Sequence, residues 1–295
     1  MGKRALLIVN PNAGNLDNQP ELVDNIYRSI TAYDIKVWNT TGHGDEQKIT
    51  QLLKENTYDL ILVGGGDGTI KLVASQLGDL QIPLLPIPFG SANGLSSCLG
   101  IQTWEDSIKA LNAGKTIQMD VLDVNGDICL HICDFGFNAG LIKKFEESDE
   151  RGMGSYFRSS VAQIFEDNKY SFTLDLNGEK ILVNAKMLVI ANGDRYGTGA
   201  KINPTGIMND GKFEIIVLNP SSLKEWMALT VGFIREDFSK LNFVQTLSGE
   251  KVIIENLDKA EFHIDGEIRE DHGTVEIIMD KKKIVFYTNF EIVSQ

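Results

Sequence analysis

Apolar runs and amphipathic stretches take turns along the first third of the chain. ALLIVN (5–10), IKVWNT (35–40) and DLILVG (59–64) read as strands, while the spacing from about Glu21 to Ala32 and from about Gln47 to Glu55 is helical. After the glycines, TIKLVASQL (69–77) returns to helical spacing and IPLLPIP (82–88) to a strand. This alternation predicts a parallel sheet with flanking helices, the architecture in which ligands collect at the carboxyl ends of strands. From about Asp120 the rhythm shortens to alternating strands: VLDVNG, ICLHICDFGF, YSFTLDLNGEKILVNAKMLVIANG, FEIIVLNP, KVIIENL, KAEFHIDGEI and TVEIIMD. LNGEK and HIDGEI place Asn-Gly and Asp-Gly between alternating residues, the strongest short-range hairpin signal. The expected organisation is an α/β domain over residues 1–125 and a mostly antiparallel β-sandwich over 126–282, broken by one helix around Ser155 to Phe165. Residues 283–295 are a candidate return to the first domain.

Composition narrows the class. The 295 residues are 42% hydrophobic and 23% charged, the range of a globular protein with ample core. No apolar run reaches the ~18 residues of a membrane span, and the short apolar stretch after Met1 lacks the form of a signal peptide. Cys98, Cys129 and Cys133 show no disulfide framework. These features lead to the expectation of a cytoplasmic protein with reduced thiols. A formal charge of -13 and a pI near 4.8 exclude the basic footprint of nucleic-acid binding and weaken tight docking on an anionic membrane.

The motif that asks for an explanation is GGGDGT (64–69), a strand-to-helix turn whose N–H groups and helix dipole favour an anion. It carries an acid, Asp67, where a phosphate loop would carry lysine and a hydroxyl, and it fits neither Walker A nor GxGxxG. NPNAG (10–14) and PFGSANGL (88–95) follow the first and fourth strands, so three polar glycine-bearing loops fall at the same end of one sheet. Each alone reads as a plain turn; together they suit a nucleotide with its phosphates. HIDGEI puts Asp265 and Glu267 around Gly266, and by itself is a type I′ hairpin with solvated acids. Cys129, His131 and Cys133, taken as alternate positions of one strand, span ~13 Å between the outer pair, too far for one zinc ion, and read as core. The histidines His43, His131, His263 and His272 show no nucleophile partner and read as structural or exposed.

The ordered set NPNAG, GGGDGT, PFGSANGL, GTGAKINPTGIMNDGKFEI and HIDGE resembles the diacylglycerol-kinase catalytic-domain superfamily, which includes bacterial lipid kinases and sphingosine and ceramide kinases. GGDGT alone is shared with NAD kinases and phosphofructokinases; the set ending in DGE is more specific. The resemblance implies an NAD kinase-like α/β domain that binds ATP and a β-sandwich domain that takes the lipid. Carried over by position, nucleotide contacts fall on Asn10, Pro11, Asn12, Ala13, Gly14, Thr40, Gly65, Gly66, Asp67, Gly68, Thr69, Ser91 and Asn93, with Arg151 of ERGMG as a phosphate-facing arginine. Glu267 matches the proton acceptor of bacterial members and Asp67 the acid given that role in sphingosine kinases. Asp210, with the carbonyls of Ile207 and Lys212, matches a structural magnesium site. On this resemblance Asp67 tolerates phosphate by holding Mg²⁺, directly or through water.

Two departures stand out. Lys71 and Leu72 occupy the places where relatives follow GGDGT with a hydrophobic residue and then Asn-Glu, and Gly94 stands where bacterial enzymes have an acid. Lys71 either contacts phosphate or faces solvent. The expected activity is ATP- and Mg²⁺-dependent transfer of the γ-phosphoryl group to a lipid alcohol of the diacylglycerol or sphingoid-base type. That activity goes with transient contact at the inner face of the membrane, and a homodimer is left open. The alternatives are a kinase of a soluble alcohol such as NAD, or a nucleotide-binding protein without turnover.

Overall fold

The strands of the described residues form three six-stranded sheets, one parallel in its core and two antiparallel. The computed structural model describes residues 2–14, 19–90, 93–136, 169–194, 201–235, 237–238, 240–270 and 273–290. They group into two compact units, Met1–Val121 with Asp280–Gln295, and Leu122–Met279.

In the first unit, β1 (Lys3–Val9), β2 (Tyr33–Asn39), β3 (Leu60–Gly65) and β4 (Leu84–Pro88) run parallel in the order β2-β1-β3-β4. The sheet continues through β18 (Ile284–Tyr287), parallel to β4, to the antiparallel β5 (Thr116–Met119). β3 is buried at every position, which is why its sequence is a continuous apolar run rather than an alternation. The helices α1 (Gln19–Ser29), α2 (Asp45–Glu55), α3 (Asp67–Gln76), α4 (Gly94–Cys98) and α5 (Trp104–Ala113) follow the strands. α2 buries Ile49, Leu52 and Leu53, neighbours at three- and four-residue spacing on one face. α5 is delimited by local chemistry: Thr103 and Asp106 form a capping box at its start, and Gly114 closes it in the left-handed conformation at φ 68°.

The second unit packs two antiparallel sheets. One runs β10 (Glu179–Ala185), β9 (Tyr170–Leu176), β14 (Lys251–Asn256), β17 (Thr274–Met279), β6 (Leu122–Val124), β7 (Asp127–Cys129). The other runs β13 (Val244–Gly249), β12 (Phe213–Leu218), β11 (Met187–Ala191), β8 (Ile132–Phe135), β15 (Phe262–Ile264), β16 (Glu267–Arg269). Alternate residues of both sheets meet in one core, where the Phe135 ring stacks on Phe262 at 4.4 Å and tilts against Phe172 at 5.4 Å. On the other face of the second sheet, Trp226 and Leu229 of α6 (Leu223–Arg235) cover Ile132, Val189 and Ile216. The two-residue turns Asn177–Gly178 and Asp265–Gly266 have positive φ at both positions, as type I′ geometry demands.

Some sequence expectations need correction. ICLHICDFGF is not one strand: the chain turns at Leu130–His131, so β7 belongs to one sheet and β8 to the other. The one-strand spacing argument for Cys129, His131 and Cys133 therefore does not apply, although all three are buried. α5 and α6 are not among the expected elements, although Thr103, Asp106 and Gly114 mark the ends of α5 in the sequence, and the helix expected around Ser155 to Phe165 lies outside the described residues.

Truncating Phe135 leaves a cavity at the junction of three aromatic rings. Phe135→Ala is expected to lower unfolding stability by about 3–5 kcal/mol, measured by denaturant titration of the two variants side by side.

Candidate active site

The turn after β3 answers why it carries an acid. α4 has only five residues, and its first N–H groups have no partner within the helix. The Asp67 carboxylate supplies one: Gly94 N–H donates to Oδ2 at 2.8 Å and Leu95 N–H to Oδ1 at 3.0 Å. A negative charge at a helix start is also favoured by the aligned peptide dipoles. Asp67 thereby ties GGGDGT to the loop after β4, 27 residues away.

The glycines complete that junction. A Cβ on Gly65 would lie 2.3 Å from Thr69 Oγ1, one on Gly64 2.7 Å from the Phe89 ring, and one on Gly90 2.7 Å from the Gly66 Cα. The close approach they permit is thus to the protein's own chain. Phe89 N–H donates to the Gly65 carbonyl at 3.0 Å. The loop after β1 joins through Asn10, whose N–H donates to the Gly64 carbonyl and whose Nδ2 donates to Thr69 Oγ1 at 3.3 Å. Asn12 and Ala13 N–H groups fold back on Asn10, leaving Pro11, Asn12 and Gly14 exposed. Thr40 is buried, its N–H on the Val9 carbonyl. So the structure brings Asn10, Thr69, Asp67, Gly65, Gly66 and Asn93 into one hydrogen-bonded junction, while Gly68 stands exposed at the start of α3. Ser91 and Arg151 lie outside the described residues.

Asn93 adopts the left-handed conformation at φ 52° and donates Nδ2 to the Gly90 carbonyl, while its buried Oδ1 has no hydrogen-bond partner among the described residues. The donor set fits a nucleotide with a hard cation. The first-turn N–H groups of α3 suit phosphate oxygens, and the carboxylate and the orphaned amide oxygen suit a hydrated magnesium ion or a ribose hydroxyl. Lys71 neither faces solvent nor lies open: it is 8% exposed within α3, and Leu72 is half-buried.

In the second unit Asp265 is not a solvated acid. At the type I′ turn it accepts N–H bonds from Leu130 at 3.2 Å, His131 at 2.9 Å and Ile132 at 3.4 Å, and its own N–H donates to the Ile132 carbonyl at 2.8 Å. Glu267, the next acid, is exposed on β16 and pairs with the Arg269 guanidinium at 3.1 Å; Arg269 also reaches Asp127 at 3.4 Å. Two residues before Asp265, the His263 ring lies between Asp134 and Glu261.

The loop before β12 is exposed at Ile207, Asp210 and Lys212. Asp210 Oδ1 accepts the Lys212 N–H at 3.0 Å, leaving its second oxygen for other partners. Burial pushes the nearby Glu214 carboxyl up; a hydrogen bond from Asn203 opposes this and the Asp210 charge adds to it. The Asp210 carboxylate and the Ile207 and Lys212 carbonyls, the set that the resemblance marks, are oxygen ligands of the kind magnesium takes. Sequence reasoning missed Arg269, the His263 pairing and the Gly94 and Leu95 amides, all of which are contacts of tertiary structure.

Comparison with known proteins follows this division. Residues 4–124 match the diacylglycerol kinase catalytic domain, and residues 133–280 match the YegS C-terminal NAD kinase beta sandwich-like domain. The chain is 24% identical over 273 residues to the diacylglycerol kinase of Bacillus subtilis (strain 168), covering 90% of each protein. It is 28% identical over 230 residues to a Citrobacter koseri protein named "Probable lipid kinase YegS-like", covering 74% of this chain and 75% of that one. A Bacillus anthracis diacylglycerol kinase structure superposes with a TM-score of 0.75 at 25% identity over 97% of both chains. An Archaeoglobus fulgidus NAD kinase solved with ATP shares the fold, with a TM-score of 0.53 at 14% identity over 97% of this chain and 94% of that one. The chain belongs to the diacylglycerol and YegS-like lipid kinase family, a family of phosphotransferases, with an NAD kinase-like α/β domain and a β-sandwich-like domain.

Proposed function

We propose that this kinase transfers the γ-phosphoryl group of ATP to the hydroxyl of a lipid alcohol of the diacylglycerol or sphingoid-base type, met by transient contact with a membrane surface. The observation that carries the assignment of roles is the contrast among the three motif acids. Asp67 and Asp265 are each held by backbone N–H groups, whereas Glu267 is exposed and free of such bonds among the described residues. Glu267 is therefore the proton acceptor, a role that requires hydrogen-bond reach of ~2.6–3.2 Å, or one water, to the attacking hydroxyl. Asp67 orders the phosphate-binding turn and presents its remaining lone pairs to the nucleotide side. Mg²⁺, when bound, neutralises phosphate charge during transfer. The turn holds the polyphosphate, and Asn93 and Asn10 orient the nucleotide. No helix of the described residues is long and apolar enough to cross a membrane.

A soluble acceptor such as NAD is the second reading, supported by the acidic composition and the NAD kinase-like fold. Binding without turnover is the third, supported by Lys71 and Leu72 at positions where the family resemblance leads one to expect Asn-Glu.

Radiolabelled ATP with Mg²⁺ and a panel of diacylglycerol, sphingosine, ceramide and NAD separates these readings. Label is expected in a lipid, with Glu267→Gln reducing kcat by about 10²–10⁴-fold. Label in NAD alone selects the second reading, and ATP binding by calorimetry with no labelled product selects the third.

Asp67→Ala removes the cap of α4. It is expected to cost about 0.5–2 kcal/mol of stability in denaturant titration and to raise KM for ATP. An unchanged KM would assign Asp67 to structure alone. Millimolar Mg²⁺ is expected to raise the melting temperature of the wild type but not of Asp210→Asn, read by calorimetry; equal shifts would remove Asp210 from the metal site.

A further inference from the structure

The hairpin that carries Glu267 has one neighbour. β15 pairs with β8 through Phe262–Phe135, His263–Asp134 and Ile264–Cys133, and among the described residues β16 beyond it pairs only with β15. Phe262 and Ile264 face the sandwich core, so His263 points to the opposite side with Asp134. There its Nδ1 lies 3.2 Å from Asp134 Oδ1 and its Nε2 3.0 Å from Glu261 Oε1. Asp134 is 3% exposed. An ionised carboxylate only accepts hydrogen bonds, and a neutral imidazole has one N–H, so satisfying both contacts takes the doubly protonated ring.

We propose that His263, bridging Asp134 and Glu261 as an imidazolium, is a positioning residue that works with Asp265 to fix the Glu267 turn against β8, so that its proton gates phosphoryl transfer. This rests on the reading of Glu267 as proton acceptor. The two anchors lie on either side of Ile264: Asp265 binds the Leu130–Ile132 amides at the entry to β8, and His263 pairs with Asp134 within β8. Without the proton, one ring nitrogen turns a lone pair toward a carboxylate and a buried acid loses its cation, which is costly at low dielectric. A turn displaced by about 1 Å costs on the order of 10²-fold in transfer.

Among the described residues, the titratable groups that the ring meets are Asp134 on β8 and Glu261 just before its own strand; Tyr170 on β9, packed on the core side, is pushed up by burial and by Glu261. β16 sets Ile268 opposite His263. The Asp134 carboxylate at 3.2 Å raises the His263 pKa against the opposing effect of burial, with Glu261 adding to the rise. For Asp134 burial acts the other way and raises it, opposed by the histidine. Both shifts mean that the folded state binds more protons than the unfolded one. The clamp needs a protonated ring and ionised acids: it is lost as pH rises through the raised folded histidine value, and lost again in acid where Asp134, itself pushed up, takes a proton.

The test compares wild type, His263→Gln and Asp134→Asn/His263→Gln by amide hydrogen exchange at residues 264–269 and by kcat for radiolabelled transfer to diacylglycerol in mixed micelles from pH 6 to 9. The double variant removes the buried charge along with its cation, so that folding is preserved. At pH 6.5 both variants are expected to exchange at the turn roughly 10-fold faster than wild type and to lose kcat about 10-fold, with KM for ATP within about twofold. The alkaline fall of wild-type kcat is expected to vanish in both. Turn protection and a pH profile matching wild type in His263→Gln would overturn the proposal. A fully active Glu267→Gln would instead overturn the reading beneath it, while the exchange result would still report on the clamp.

Discussion

The candidate site is organised around backbone amides binding the protein's own carboxylates. A short helix and a tight turn each leave N–H groups without a partner, and an ionised oxygen compensates for this more strongly than a neutral one. Asp67 does so for α4, and Asp265 for the turn between β7 and β8. Each fastens two loops that are distant in sequence. The geometry of the GGGDGT turn in one unit and of the glutamate-bearing turn in the other thus depends on the same kind of interaction.

That arrangement changes what an acid in a glycine-rich loop means. From sequence alone, Asp67 poses a problem of repulsion that a metal ion solves. In the structure much of its charge is already compensated by Gly94 and Leu95, and any cation adds to that compensation. The glycines shift in the same way: Gly64, Gly65 and Gly90 are small because Phe89, Thr69 and Gly66 occupy the space a side chain would need.

The sequence made legible whatever is governed by local physics. The continuous apolar run of β3, the three-and-four spacing of α2 and the Asn-Gly and Asp-Gly turns depend on near neighbours, and they appear where the pattern placed them. The break at Leu130–His131 could not be read, because the residues on both sides are apolar and buried and no glycine or proline marks the change of sheet. Of the two readings open for Lys71, the one that faces solvent is excluded, because α3 packs that position inward. His263 looked like an ordinary strand residue; its meaning comes from Asp134, more than a hundred positions earlier.

The placement of β18 has a consequence for how the molecule is made. This strand is inserted between β4 and β5, so among the described residues β5 reaches the rest of its sheet only through a segment synthesised after the whole second unit. Such distant pairing carries a high closure entropy and is slow to form. During translation the first-encoded unit waits with an open sheet edge beside β4, while the unit encoded in the middle of the chain already has all its strands. The domain that starts the chain is therefore the last to be finished, and until then the unpaired edge is a point at which chaperones or other chains can engage it.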